Sequence, residues 1–89
     1  MTRVAFTTHL RQYVDGPLEV PGGSTLGEAL AAAFVANPRL RGYILDDQGA
    51  LRRYVAVFID GIVARDREHL TDPVPADAEV FIMQSLAGG

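Results

Sequence analysis

Residues 21–38, "PGGSTLGEALAAAFVANP", decide the fold because they carry the clearest secondary-structure signal in the chain. Thr25 and Glu28 have the spacing of a capping box, in which a hydroxyl and a carboxylate each accept a hydrogen bond from a free N–H group at a helix start. Five apolar residues follow at helical spacing: Leu26, Ala29, Leu30, Ala33 and Phe34. Asn37-Pro38 ends this pattern, since the residue before a proline avoids the helical region. The stretch predicts one amphipathic helix with one face to bury.

Segments on both sides of this helix have the composition and alternation of β-strands. The four stretches are "RVAFTTH" at 3–9, "LEV" at 18–20, "YVAVFIDGIV" at 54–63 and "EVFIMQS" at 79–85. Asp15-Gly16-Pro17 is a turn signal before the second stretch, so we expect the first two strands to form a hairpin. Asp60-Gly61 is a pair favoured in tight hairpin turns, so the third stretch is interpreted as two strands.

The remaining segments give weaker signals. Residues 39–53 hold a turn, "DDQG" at 46–49, between two short apolar pieces, which predicts an irregular hairpin or arm. Residues 64–78 are polar and contain prolines, which predicts a loop with at most one helical turn. One helix and one sheet pack most stably with the helix across a single sheet face. We therefore expect a two-layer α+β domain over residues 1–84, with the other sheet face open to solvent or a partner.

Composition narrows the class of protein. The chain has 89 residues, 48% of them hydrophobic, and a formal net charge of −3, with no basic run typical of a nucleic-acid-binding protein. It contains no cysteine, so disulfides and thiolate chemistry are excluded within it. All eight basic residues are arginine, so the chain offers no side-chain amine for an isopeptide bond. No stretch resembles a secretory signal or a membrane span, which predicts a soluble cytoplasmic protein without nucleic-acid or membrane partners.

No self-contained active site is predicted. His9 and His69 are far apart in sequence, and neither has a second ligand at metal spacing, so no metal site is expected. Ser24 and Ser85 lack the context of an activated nucleophile. The segment "PGGST" at 21–25 lacks the lysine and glycine spacing of a phosphate-binding loop, and is interpreted as the turn before the helix.

The sequence "SLAGG" at 85–89 follows the last strand directly and is expected to form a flexible tail. Glycine has the widest backbone freedom, so an extended segment ending in Gly88 and Gly89 can enter a channel too narrow for any Cβ atom. There it can present a terminal carboxylate to a reactive centre in a partner enzyme. Adenylation by ATP would turn that carboxylate into an acyl donor for a sulfur or amine nucleophile.

Three stretches together resemble the MoaD/ThiS family of sulfur carrier proteins, which have the ubiquitin-like β-grasp fold. They are "RVAFTTHLRQYV" at 3–14, "STLGEAL" at 24–30 and "VPADAEVFIMQSLAGG" at 74–89. The resemblance implies a mixed sheet of about five strands with one main helix across one face. It also implies a protein that is not itself an enzyme and binds no cofactor. Its partners would be an adenylyltransferase of the ubiquitin-activating type, which uses ATP, and a sulfur-accepting synthase or hydrolase.

The resemblance also assigns roles to particular residues. Gly89 would carry the carboxylate that becomes an acyl adenylate and then a thiocarboxylate, and Gly88 would precede it in the partner's channel. Further partner-binding residues would be Ala87, Leu86, Met83 and Phe81. For Met83 and Phe81 the alternative is ordinary core packing. Many relatives have prolines where this chain has Gln84 and Ser85. The chain is also longer than the shortest members of the family, with the excess between Pro38 and Tyr54, so the pathway that receives the sulfur is left open.

Two other functions fit the same sequence. A protein modifier would use the same activated tail but transfer it to a lysine of a target protein, and only the nucleophile separates it from a sulfur carrier. A ubiquitin-like binding module would have no use for its terminal glycines, and removing Gly88 and Gly89 would leave its function intact.

Overall fold

A computed structural model describes residues 1–7, 18–21 and 24–84. The strands are β1 (Thr2–Phe6), β2 (Leu18–Val20), β3 (Ser24–Thr25), β4 (Val55–Ile59), β5 (Ile62–Val63), β6 (Pro73–Val74) and β7 (Glu79–Gln84). The helices are α1 (Leu26–Ala36) and α2 (Arg39–Ile44). Neither helix has the length and apolarity needed to cross a membrane.

Five of the strands form one mixed sheet in the order β2-β1-β7-β4-β5. The neighbours β1 and β2 pair antiparallel, as do β4 with β5 and β4 with β7, whereas β1 and β7 run parallel. Both expected hairpins are confirmed, although the turn at 15–17 lies outside the described residues. In the second hairpin Asp60 and Gly61 have φ of 50° and 83°, which is the left-handed backbone that this turn requires.

Helix α1 has the predicted capping box and the predicted buried stripe. The N–H of Glu28 donates to the Thr25 hydroxyl, and the N–H of Thr25 donates to the Glu28 carboxylate, both at 3.3 Å. The helix ends before Asn37, as the following proline predicts. All five stripe residues are buried and share one core with the inward side chains of the sheet: Val4, Phe6, Val20, Val55, Val57, Ile59, Val80 and Ile82. One apolar layer therefore holds the helix on a single face of the sheet.

The structure corrects the interpretation of residues 39–53. The first apolar piece is helix α2 and not a strand, because Leu40 and Ile44, one helical turn apart, are both buried in the core. The predicted turn is present, since the Asp46 carboxylate accepts hydrogen bonds from the N–H groups of Gln48 and Ala50 at 2.8 and 3.1 Å. Among the described residues an isolated antiparallel bridge joins Leu45 to Leu51 across this turn.

The loop prediction for residues 64–78 missed β6, which pairs antiparallel with the equally short β3. This loop also supports the start of α1. The N–H groups of Leu26 and Gly27, at the start of the helix, donate to the carbonyls of Asp72 and Leu70 at 2.8 and 2.9 Å, respectively. Part of the loop therefore completes the hydrogen bonding that a helix N-terminus leaves open.

Asp66 fixes the conformation of that loop. Its carboxylate accepts hydrogen bonds from the Thr71 hydroxyl and from the N–H groups of His69, Thr71 and Glu68. The bond from the Thr71 hydroxyl, followed by the one from the His69 N–H group, lowers the pKa of Asp66 from 3.8 to about 2. Hydrogen bonds from the N–H groups of Arg65 and Asp66 lower the pKa of Asp72 in the same direction.

The domain is therefore expected to lose stability in acid. A carboxyl group with a lowered folded-state pKa stabilises the fold above its unfolded pKa, and this contribution disappears as the pH falls from 3.8 towards 2. Melting temperatures measured across this range should fall, and an Asp66→Asn variant should melt lower than wild type at neutral pH with a flatter acid dependence. Asp47→Asn, at an exposed turn position, is the matched control. An unchanged acid slope in the Asp66 variant would contradict the assignment.

Candidate docking face and tail exit

Strand β7 places its side chains alternately on the two faces of the sheet. Val80 and Ile82 are fully buried on the face covered by α1. Phe81 is half-buried and Met83 is 39% exposed, and the alternation of the strand puts both on the opposite face. Core packing against the helix is therefore not the role of Phe81 or Met83.

Strand pairing surrounds these two side chains with other apolar residues. Phe81 pairs with Ala5 of β1 on one side and with Phe58 of β4 on the other, and Phe58 pairs with Val63 of β5. Paired residues on one face lie within side-chain contact distance. With the pair of Ala56 and Met83, this surface, here called the open-face patch, comprises Ala5, Ala56, Phe58, Val63, Phe81 and Met83. An apolar surface of this kind on a small domain is typical of an interaction site.

The open face changes character along β7. At the start of the strand Arg3 pairs with Glu79 on one side and with Glu19 on the other, which forms a charged row. Nearby, the Asp60 carboxylate accepts a hydrogen bond from the N–H of Glu79 at 2.9 Å. The aromatic pair and then Met83 follow towards the end of the strand. The apolar part of the face is therefore the part nearest to the tail.

Strand β7 ends at Gln84, which pairs with Val55 at the start of β4. The N–H of Gln84 donates to the Thr7 hydroxyl at 3.4 Å. Residues 85–89 lie outside the described residues, and so the roles assigned to Leu86, Ala87, Gly88 and Gly89 remain predictions. What the structure defines is the position of Gln84, the last described residue before them.

The described part of the chain shows where several of the titratable side chains considered for catalysis or metal binding lie. The described residues include no group of three or more histidine, cysteine or acidic residues able to hold a metal ion. His69 is solvent-exposed, with Nδ1 3.8 Å from an Asp66 oxygen, and His9 lies outside the described residues. An open depression of about 520 Å³ is lined by Asp46, Gln48, Ala50, Glu68 and His69. One oxygen of the Asp46 carboxylate, Oδ1, accepts hydrogen bonds from the N–H groups of Gln48 and Ala50 in its own turn.

Sequence reasoning found two members of the open-face patch and missed the rest. Phe81 and Met83 were identified by the resemblance and by alternation along one strand. Phe58, Val63 and Ala5 belong to the patch only because β4 and β1 lie on either side of β7. The alternation within each strand predicted which side chains share a face, but the order of the strands was needed to bring them together.

Comparison with known proteins places the chain in a family. A family model described as ThiS family matches residues 4–89, and the chain therefore belongs to the ThiS family. A search of curated protein sequences finds no match.

Solved structures establish the fold. The chain is similar to small archaeal modifier protein 1 from Haloferax volcanii, with 24% identity, a TM-score of 0.80 and coverage of 99% of this chain and 98% of that one. It is similar to a chain of the Amycolatopsis orientalis BexX/CysO complex, with 18% identity, a TM-score of 0.83 and complete coverage of both. It is also similar to CysO from Mycobacterium tuberculosis, with 19% identity, a TM-score of 0.81 and coverage of 97% of this chain and 100% of that one. The expected ubiquitin-like β-grasp fold is thus confirmed.

Proposed function

We propose that this protein is a sulfur carrier whose C-terminal Gly89 carboxylate is adenylated and then converted to a thiocarboxylate. The observation that carries the proposal is the family match, which extends through the terminal glycines at 88–89. The open-face patch supports it, because the apolar surface lies at the end of the sheet from which β7 leads to those glycines.

The chemistry proceeds in two displacements. The Gly89 carboxylate attacks the α-phosphorus of ATP, which releases pyrophosphate and forms an acyl adenylate. Hydrosulfide then attacks the acyl carbon, AMP leaves with the electron pair of the broken C–O bond, and a thiocarboxylate remains after loss of a proton. The thiocarboxylate sulfur then displaces a leaving group from an electrophilic acceptor to form a thioester. Water cleaves the acyl C–S bond of that thioester, which leaves the sulfur on the acceptor as a thiol and returns the Gly89 carboxylate. An activating enzyme binds the ATP, so this chain acts as a protein co-substrate and carries no cofactor of its own.

Each predicted residue has a physical task in this scheme. Gly88 and Gly89 lack Cβ atoms, so the end of the tail fits a narrow catalytic channel. Ala87 would lie in that channel together with Gly88, and Leu86 would contact the partner. Phe81 and Met83 would anchor the domain on the enzyme, because aromatic and methionine side chains are enriched in the buried centres of interfaces.

The proposed partners are an ATP-dependent adenylyltransferase of the ubiquitin-activating type and a synthase or hydrolase that accepts the sulfur. CysO, whose fold this chain resembles, is found in a complex with BexX. That complex supports docking of this fold on a second protein. We propose that both partners are met in the cytoplasm, with no nucleic acid or membrane involved.

A second candidate, a protein modifier, is favoured by the likeness to small archaeal modifier protein 1. The tail would be activated in the same way, but a lysine amine of a target would attack the acyl adenylate. The chain has no lysine of its own to act as such a target. Conjugates in cells that disappear when Gly89 is removed would favour the modifier over the carrier.

Removal of Gly88 and Gly89 tests whether the tail acts at all. ATP–pyrophosphate exchange, measured with the activating enzyme of the same organism, should be supported by the full chain and abolished in the shortened chain, since the shortened tail no longer reaches the channel. Thermal melting of both chains is the control for folding. Equal exchange with both chains would contradict the proposal and favour a binding module.

A further inference from the structure

Arg52 and three other arginines form a group on a part of the surface other than the open-face patch. Nε of Arg52 donates to the carbonyl of Gly42 in α2 at 2.8 Å, and the carbonyl of Arg52 accepts a hydrogen bond from Nη2 of Arg67 at 2.6 Å. Arg41 precedes Gly42 in the chain, and Arg53 follows Arg52. These four residues, Arg41, Arg52, Arg53 and Arg67, are here called the arginine cluster.

The charges of this cluster are not neutralised within the described part of the chain. Ion pairs between described residues, with nitrogen and oxygen within 4.0 Å, join Met1 to Asp77 and His69 to Asp66, and none involves an arginine. Asp46 in the neighbouring turn directs its carboxylate to backbone N–H groups. Since the chain as a whole has a net charge of −3, a local group of unpaired guanidinium groups is not a consequence of composition.

Hydrogen bonds connect the arginine cluster to the end of the sheet where the tail begins. The carbonyl of Arg52 also accepts a hydrogen bond from the N–H of Val55 at 2.9 Å. Val55 in turn pairs with Gln84, the last residue of β7. A protein that receives the tail would therefore have its surface close to these guanidinium groups.

We propose that the arginine cluster is a docking surface for an acidic patch on the protein that receives the tail; the identity of that partner rests on the proposed function. Guanidinium groups bind carboxylates through paired, directional hydrogen bonds, which suits discrete aspartate and glutamate side chains. A duplex or an anionic membrane would instead present an extended negative field, and this acidic domain would be repelled by it. An acidic protein surface is therefore the occupant that the charge distribution favours.

A short glutamate-rich peptide with blocked termini is a suitable probe because it presents discrete carboxylates and no extended negative field. Amide chemical shifts of the full chain, followed during titration at low salt, should change first at residues 39–44, 52–53 and 67. An Arg53→Glu variant should bind the probe about tenfold more weakly, because like charges are brought together, and R41E/R53E should bind more weakly still. Neither the Arg41 nor the Arg53 side chain has a hydrogen bond to another described residue, so the fold should persist.

Arg65→Glu is the matched control, since Arg65 is also exposed and the change of charge is identical. Its affinity should stay close to that of wild type. Equal losses for R53E and R65E, or shifts spread over the whole chain, would overturn the proposal, as would tighter binding of duplex DNA or of phosphatidylglycerol vesicles at matched charge. The titration needs neither ATP nor the tail glycines, so its outcome is independent of whether a thiocarboxylate forms.

Discussion

A Met83→Glu variant is expected to be activated at its tail about thirtyfold less efficiently than wild type at limiting concentration. This factor corresponds to a loss of about 2 kcal/mol, the size typical of a central anchor residue in an interface. Met83 is 39% exposed at the tail end of the open-face patch, so glutamate can be accommodated in the free protein but would place a charge in the apolar contact. The measurement is ATP–pyrophosphate exchange as a function of carrier concentration.

Val35→Glu provides the control for this prediction. Val35 is 83% exposed on α1, on the opposite side of the domain, so the same introduction of charge should leave exchange unchanged. Both variants should melt close to wild type. If the two variants lose activity equally, or if neither does, the open-face patch is not the surface that meets the activating enzyme.

An Ile82→Ala variant is expected to lose about 3 kcal/mol of unfolding free energy, within the range measured for such truncations in protein cores. Ile82 is fully buried in β7, where it pairs with Phe6 on one side and Val57 on the other. Truncation of the Ile82 side chain would leave a cavity between the sheet and α1. Urea denaturation followed by circular dichroism measures the change, which is a large part of the roughly 5–15 kcal/mol that stabilises a domain.

Ile62→Ala makes the same chemical change at a surface position. Ile62 is 69% exposed in β5, so its truncation should cost about 0.5 kcal/mol or less. A similar cost at both positions would show that the buried layer between sheet and helix is not the main source of stability.

The parts of the fold that local chemistry controls could be predicted from the sequence. The capping box of Thr25 and Glu28, the apolar stripe and the stop at Asn37 all act within a few residues of one another. The same is true of the Asp60-Gly61 turn, whose left-handed backbone is set by the dipeptide itself. Local signals of this kind fix where the main elements lie.

Helix α2 and the pair β3–β6 could not be predicted in the same way. Arg39–Ile44 is only six residues long and has Gly42 in its interior, so propensity opposes a helix there. Burial of Leu40 and Ile44 in the core decides the outcome. The strands β3 and β6 have two residues each, too few to show alternation, and they form because the loop before β7 passes beside the start of α1.

The order of the strands could not be predicted from local patterns either. Of the features that the sequence did not predict, it matters most for the candidate site. The parallel pairing of β1 with β7 joins residues from opposite ends of the sequence, and no local pattern specifies it. The sequence alone therefore predicted Phe81 and Met83 as candidates but not the apolar row that surrounds them. The arginine cluster was missed for a similar reason, since tertiary hydrogen bonds join Arg67 to Arg52 and join Arg52 to Gly42, the residue after Arg41.

The mass of the protein isolated from its own organism with its C-terminus intact tests the central claim most directly. After incubation with ATP, a sulfide source and the activating enzyme, we expect a species in which one oxygen at Gly89 has been replaced by sulfur. Alkylation and fragmentation would locate the sulfur at the last residue. A chain that retains both carboxylate oxygens under these conditions, while a known carrier treated in parallel is converted, would contradict the account.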